Sequence, residues 1–161
     1  MPYAKSGPQD RIAFLIMTDT EMRDMLVEYM GKGFLENIMA LFKQEPGLAR
    51  FIPDMISQEN VGVRLGTTAL VEELASEHAA ILRHAAPGLI TLLSNGNPTI
   101  RGDAASLLGT IGDASARDPL SALLEDGNAA VREVARIALE ELEQGGFRGS
   151  VSSIRSTRKT P

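Results

Sequence analysis

Residues 97–127 read NPTIRGDAASLLGTIGDASARDPLSALLEDG, and residues 128–142 follow at once as NAAVREVARIALEEL. The second run restarts the first. Asn97, Ile100 and Arg101 recur 31 residues later as Asn128, Val131 and Arg132, and the same trio stands upstream as Asn60, Val63 and Arg64. Self-similarity at such a period is the signature of stacked structural repeats, in which each unit is one supersecondary element that cannot cover its own apolar face.

The chemistry at each register position agrees. Around Arg64, Arg101 and Arg132, the preceding position is apolar (Val63, Ile100, Val131) and the third following position is small (Thr67, Ala104, Ala135). The seventh and tenth following positions are again apolar: Val71, Leu108 and Leu139, then Leu74, Ile111 and Leu142. This is the stripe of an amphipathic helix. Asn60, Asn97 and Asn128 precede these helices, where an Asn side chain accepts a hydrogen bond from a free backbone N–H. A second helix follows each first one, for Leu89, Leu92 and Leu93 match Leu120, Leu123 and Leu124 at the same offset. Ile52, Met55 and Ile56 fit that pattern 37 residues before the first of these sets. The six extra residues of the 37-residue interval lie around 76–81, so the first helix there is longer or gains a turn.

Upstream, Ser6 with Gln9 and Thr18 with Glu21 have capping-box spacing. Met22, Met25, Leu26, Tyr29 and Met30 form one helical stripe ended by Gly31 and Gly33. Phe34 to Lys43 is apolar on more than one face, which predicts a well-buried helix. Pro53 either kinks the next helix or marks its late start. The chain thus divides into a helical cap at 1–45, repeats at 46–144, and a basic tail at 145–161 that has little periodicity. Six of seven aromatics precede residue 52, and six of seven methionines lie in residues 1–39, with the seventh at Met55. The atypical composition fits a terminal unit that covers an otherwise open core.

Absence of Cys removes disulfides and thiolate metal sites. The longest apolar run, residues 12–17, is far shorter than the ~20 residues of a membrane span, and the reading is of a cytoplasmic protein. Net charge is −5, yet no acid follows Glu143, while Arg148, Arg155, Arg158 and Lys159 do. Setting these four positives aside leaves −9 on residues 1–144. An acidic body without aromatics between Phe51 and Phe147 disfavours nucleic acid, which calls for cationic grooves and stacking platforms.

The run Asn97-x-x-Ile100-Arg101-x-x-Ala104-x-x-Leu107-Leu108-x-x-Ile111-Gly112-Asp113, followed by Pro119-Leu120 and Leu123-Leu124, resembles a HEAT repeat, and more narrowly the phycobilisome-lyase-like subtype. The resemblance is full in 97–127, partial in 60–96, and covers only the first helix in 128–143. It implies an all-α, right-handed solenoid of the HEAT-like or armadillo-like kind, whose second helices line a concave face. It also implies a ladder between units, here Arg64, Arg101 and Arg132 with Asn60, Asn97 and Asn128. The same arginines read functionally would be an anion-binding row.

Catalytic and metal chemistry find little support. His78 and His84 lie six residues apart, about 240° around a helix, and face different ways. Ser76 and Ser94 sit on no nucleophile elbow. Glu72-Glu73 and Glu140-Glu141 read as solvated faces. Neither an enzyme nor a cofactor is expected. The leading expectation is a scaffold that binds a protein or peptide, one of basic character given the acidic body. Its contacts would be polar second-helix positions: Asp54, Ser57, Thr91, Ser94, Ser121 and Glu125. Exposed residues among the N-terminal methionines or 12–17 would add a patch for self-association. The alternative carried by the resemblance is a bilin lyase or a chaperone-like lyase subunit.

Overall fold

The computed structural model describes residues 14–145. The sequence-based expectations for the Ser6–Gln9 capping box, for the first residues of the cap and for all of the basic tail after Gly145 lie outside that range. Every regular element among the described residues is a helix.

The cap begins with α1 (Asp19–Gly31), started by Thr18, whose hydroxyl accepts from the Glu21 N–H while the Glu21 carboxylate accepts from the Thr18 N–H at 2.8 Å. Met22, Leu26 and Met30 are its buried face. Helix α2 (Leu35–Gln44) follows, with Ile38 and Phe42 buried. Phe34 and Lys43 are exposed and Leu35, Met39 and Leu41 are only half-buried, so α2 buries one face rather than several. A 3-10 stretch (Pro46–Phe51) then leads into α3 (Ile52–Ile56), and Pro53 sits in its first turn. Proline there marks a late start, since a first-turn N–H has no helical partner to lose.

The repeats run as follows. The first unit has α4 (Val61–Glu77), a 3-10 turn (Ala79–His84) and α5 (Ala86–Leu92). The second has α6 (Pro98–Ile111), a 3-10 turn (Ala114–Ala116), α7 (Arg117–Ala122) and a closing 3-10 turn (Leu123–Glu125). The last half-unit is α8 (Ala129–Glu143). The six extra residues are both a longer helix and a longer turn: α4 has 17 residues against 14 in α6, and its 3-10 turn has 6 against 3. Gly112 ends α6 in the left-handed region at φ 73°, which lets Asp113 cap the next turn by accepting from the Ser115 N–H.

First helices stack on first helices, α1 on α4, α4 on α6 and α6 on α8, while second helices pack beneath them. One core runs through the stack, from Met22 to Leu142. The small register position is fully buried in all three units, as Thr67, Ala104 and Ala135. The Thr67 hydroxyl stays satisfied by donating to the Val63 carbonyl at 2.7 Å.

Helix α8 lies along the length of α6, whereas α4 meets α6 over a shorter stretch. The register explains the difference. The side of α6 that receives α8 carries Gly102, Ala105 and Gly109, and a Cβ on Gly109 would stand 2.7 Å from the Ala138 Cα. The matching positions of α4 are the bulkier Leu65, Thr68 and Glu72, and Leu65 is left 66% exposed. On α8 the same positions are Glu133, Arg136 and Glu140. Arg136 donates to Glu133 at 2.7 Å and also bonds Glu140, so a self-paired charged face stands where a further helix would stack.

The register pairs Leu124 with the buried Leu93, yet Leu124 is not buried. Leu124 is 39% exposed, while Leu120 and Leu123 are the buried side chains of that segment. The final turn is 3-10, and its tighter winding moves the inward position back by one residue.

Candidate protein-interaction surface

Of the second-helix positions expected to bind a partner, Asp54 and Thr91 are register equivalents, as are Ser57, Ser94 and Glu125, while Ser121 stands one residue before Ala122, the counterpart of Thr91. Asp54 and Ser57 lie on and just after α3, and Thr91 and Ser94 on and just after α5. Helices α3 and α5 are in contact, with the Pro53 ring against Gly88, where a Cβ would stand 2.5 Å from Pro53 Cγ. Ser121 lies on α7 and Glu125 in the 3-10 turn after it. Asp54 and Ser57 are half-buried, and Thr91, Ser94, Ser121 and Glu125 are exposed.

Three of the hydroxyls are already committed as donors. Ser57 Oγ donates to the Asp54 carbonyl at 3.0 Å, Thr91 Oγ1 to the Pro87 carbonyl at 3.2 Å and Ser121 Oγ to the Arg117 carbonyl at 2.8 Å. Each oxygen keeps acceptor capacity toward solvent, so these positions suit incoming N–H donors. The acids Asp54 and Glu125 add negative charge at the two ends of the row.

The arginine row works differently from the expected ladder. Among the described residues no hydrogen bond joins Arg64, Arg101 or Arg132 to Asn60, Asn97 or Asn128. The asparagines cap instead: Asn60 Oδ1 accepts from the Gly62 N–H at 2.8 Å, Asn97 Oδ1 from Thr99 at 2.9 Å and Asn128 Oδ1 from Ala130 at 2.9 Å. An amide oxygen placed at a helix start finds those orphan N–H groups within its own turn, which outcompetes a distant guanidinium.

Each arginine instead reaches back six residues to a backbone carbonyl. Arg64 Nη1 donates to Gln58 at 3.2 Å, Arg101 Nη1 to Asn95 at 2.9 Å and Arg132 Nη1 to Asp126 at 2.7 Å. Two of them also reach forward to a carboxylate that sequence reasoning missed. Arg101 donates through Nε and Nη2 to the two oxygens of Asp126, both at 2.8 Å. Arg64 Nε lies 3.2 Å from Asp103 Oδ2 on α6. The Asp126 pKa is lowered, first by the Arg101 bond and then by the Asn128 N–H. Burial pushes Asp103 up, with Arg64 opposing. Guanidinium groups so occupied are links between units and offer little to an external anion.

A second missed feature involves Glu141. It was expected on a solvated face, but its carboxylate lies over Gly109, where the absent side chain leaves room, and it feels Glu72 of α4 across the stack. Burial, then Glu72, pushes its pKa up. The histidines His78 and His84 are exposed, and no group of three or more potential metal ligands occurs among the described residues. No helix of the described residues is long and apolar enough to cross a membrane.

Comparison with known proteins agrees with this architecture. The chain aligns with 83% coverage and 22% identity, at a TM-score of 0.52, to the crystal structure of an engineered protein, and it spans 61% of that protein's length. At that identity the likeness concerns the fold alone. None of the curated proteins matches. HEAT repeats match over residues 55–140, more than half of the sequence, a span that begins in α3 and ends in α8. With its stacked helix pairs and that match, the chain belongs to the HEAT repeat family.

Proposed function

We propose that the protein is a non-catalytic scaffold that holds a protein or peptide segment along the face built by its second helices. The observation that carries this reading is the row Asp54, Ser57, Thr91, Ser94, Ser121 and Glu125. It is polar, recurs in register at Asp54/Thr91 and at Ser57/Ser94/Glu125, and lies outside the apolar core. The membership in a repeat family commonly used for protein–protein interaction supports it. A basic, extended partner suits the acidic ends of the row and the acceptor oxygens between them. Affinity purification with mass spectrometry, comparing the natural chain with an Asp54→Asn/Glu125→Gln variant, tests it. A partner recovered by the first and lost from the second is expected; identical recoveries would sink this choice of face.

The motif from Asn97 to Asp113 supports a finer reading, membership in the phycobilisome-lyase-like subtype with a bilin as ligand. The units from residue 52 to 145 contain no aromatic side chain to stack on a tetrapyrrole, so the scaffold reading stands first. A visible-absorbance titration with a bilin distinguishes the two, since a ligand held in a pocket changes its spectrum.

A further inference from the structure

Away from the second-helix face, α2 and α4 enclose a groove of about 340 Å3 lined by Leu35, Met39, Ala69, Glu72, Glu73 and Ser76. Its floor of Leu35, Met39 and Ala69 is apolar and half-exposed. Its rim is acidic. Among the described residues no cation lies within ion-pair distance of Glu72 or Glu73, and Lys43 of α2 is paired with Glu77 instead. Two adjacent unpaired acids beside an open apolar strip favour an occupant that carries both basic and apolar side chains.

The sequence supplies one. Residues 146–161 contain Arg148, Arg155, Arg158 and Lys159, no acid, and the apolar residues Phe147, Val151 and Ile154. They follow Gly145, one turn beyond Glu141 on α8. The separation of α8 from α4 is two helix spacings, roughly 20 Å at ~10 Å each. About six extended residues at ~3.4 Å span that distance. The chain is therefore long enough for Val151, Ile154 and the last three cations to reach the groove.

We propose that residues 146–161 dock in cis into the groove between α2 and α4, with Val151 and Ile154 on the Leu35–Met39–Ala69 floor and the basic side chains against Glu72 and Glu73. The groove is separate from the second-helix face, so this inference stands or falls independently of the scaffold reading.

The chain has no Cys, so a spin label on Ser153→Cys in the full chain reports where the segment sits. Paramagnetic broadening of backbone amide signals is expected at residues 35–39 and 69–76. It is expected to be lost in the Glu72→Gln/Glu73→Gln variant and in roughly 1 M salt, where screening shortens to ~3 Å. The salt arm keeps the test decisive should the double variant fold poorly. Broadening centred on Thr91 and Ser121, or no broadening at any site, overturns the proposal. So does equal broadening when labelled and isotope-enriched chains are mixed, which would assign the groove to a second copy. Broadening unaffected by both salt and the double variant overturns the electrostatic recognition.

Discussion

Arg101 holds Asp126 through two parallel hydrogen bonds of 2.8 Å, across 25 residues and the junction between the second unit and the last half-unit. The carboxylate, only 8% exposed, also accepts from the Asn128 N–H, and its own backbone carbonyl accepts from Arg132. One residue therefore ties together the end of one unit, the cap of the next helix and two arginines of the row. Replacing Asp126 by Ala should lower the melting temperature clearly more than replacing Asn95, its counterpart one unit earlier. A Lys at 101 should not rescue the contact, because an ammonium cannot reproduce the planar fork. Equal melting of the Asp126 and Asn95 variants would refute the junction role.

The same bond sets an acid limit. The Asp126 pKa is depressed from its ordinary 3.8. A carboxylate lowered on folding contributes stability above the ordinary value, and the contribution is lost as pH falls through the folded value. Acid unfolding of the natural chain should be steeper below pH ~4 than that of Asp126→Asn, which lacks the titrating group.

Leu108 is fully buried between the stacked helices. Leu108→Ala should cost about 2–5 kcal/mol, the range for a buried leucine that leaves a cavity. Leu124→Ala should cost under ~1 kcal/mol, because much of that side chain already meets water. Chemical denaturation of both variants checks the contrast.

Gly109 and Gly102 occupy the same side of α6 with opposite surroundings. A methyl at Gly109 would meet the Ala138 backbone at 2.7 Å, while nothing lies within 4 Å of one at Gly102. Gly109→Ala should destabilise by about 1–3 kcal/mol through overpacking, which exceeds the ~1 kcal/mol gain in helix propensity. Gly102→Ala should stabilise by about 0.5–1 kcal/mol. Denaturant midpoints that move the same way in both variants would contradict the close approach of α8.

Glu141 predicts the reverse pH trend from Asp126. Its pKa is raised from 4.5 by burial and by Glu72. Stability is then lost as pH rises from the ordinary value through the folded one, and the loss is complete above it. Glu141→Gln should match the natural chain below pH 4.5 and exceed it near neutrality. The gain should stay below ~1 kcal/mol, because solvent screens the exposed part of the site. Melting curves at pH 4 and pH 7 decide it.

What could be read from the sequence follows from the range of each interaction. The asparagine caps, the buried small position and most of the leucine stripe depend on neighbours within one or two turns, and the period displays them three times. The partner of Arg101 was hidden because it is chosen by distance across a turn, and Asp126 has an amide, Asn95, in the earlier copy. Glu141 was misread because its surroundings are set by an absent side chain on another helix. Leu124 was misplaced because nothing in a run of leucines marks the switch from α to 3-10 winding. The polar second-helix row is visible as a pattern, but a pattern of acceptor oxygens names a kind of partner and no single one.

The charged trio on α8 bears on behaviour at high concentration. Helices that stack face to face by translation have a natural failure mode: the last face of one molecule fits the first face of the next, and monomers grow into filaments. Glu133, Arg136 and Glu140 make such growth unfavourable, for a newcomer would have to strip water from three ions already matched to one another. The outer face of α8 thereby resists the end-to-end growth that a propagating motif otherwise invites.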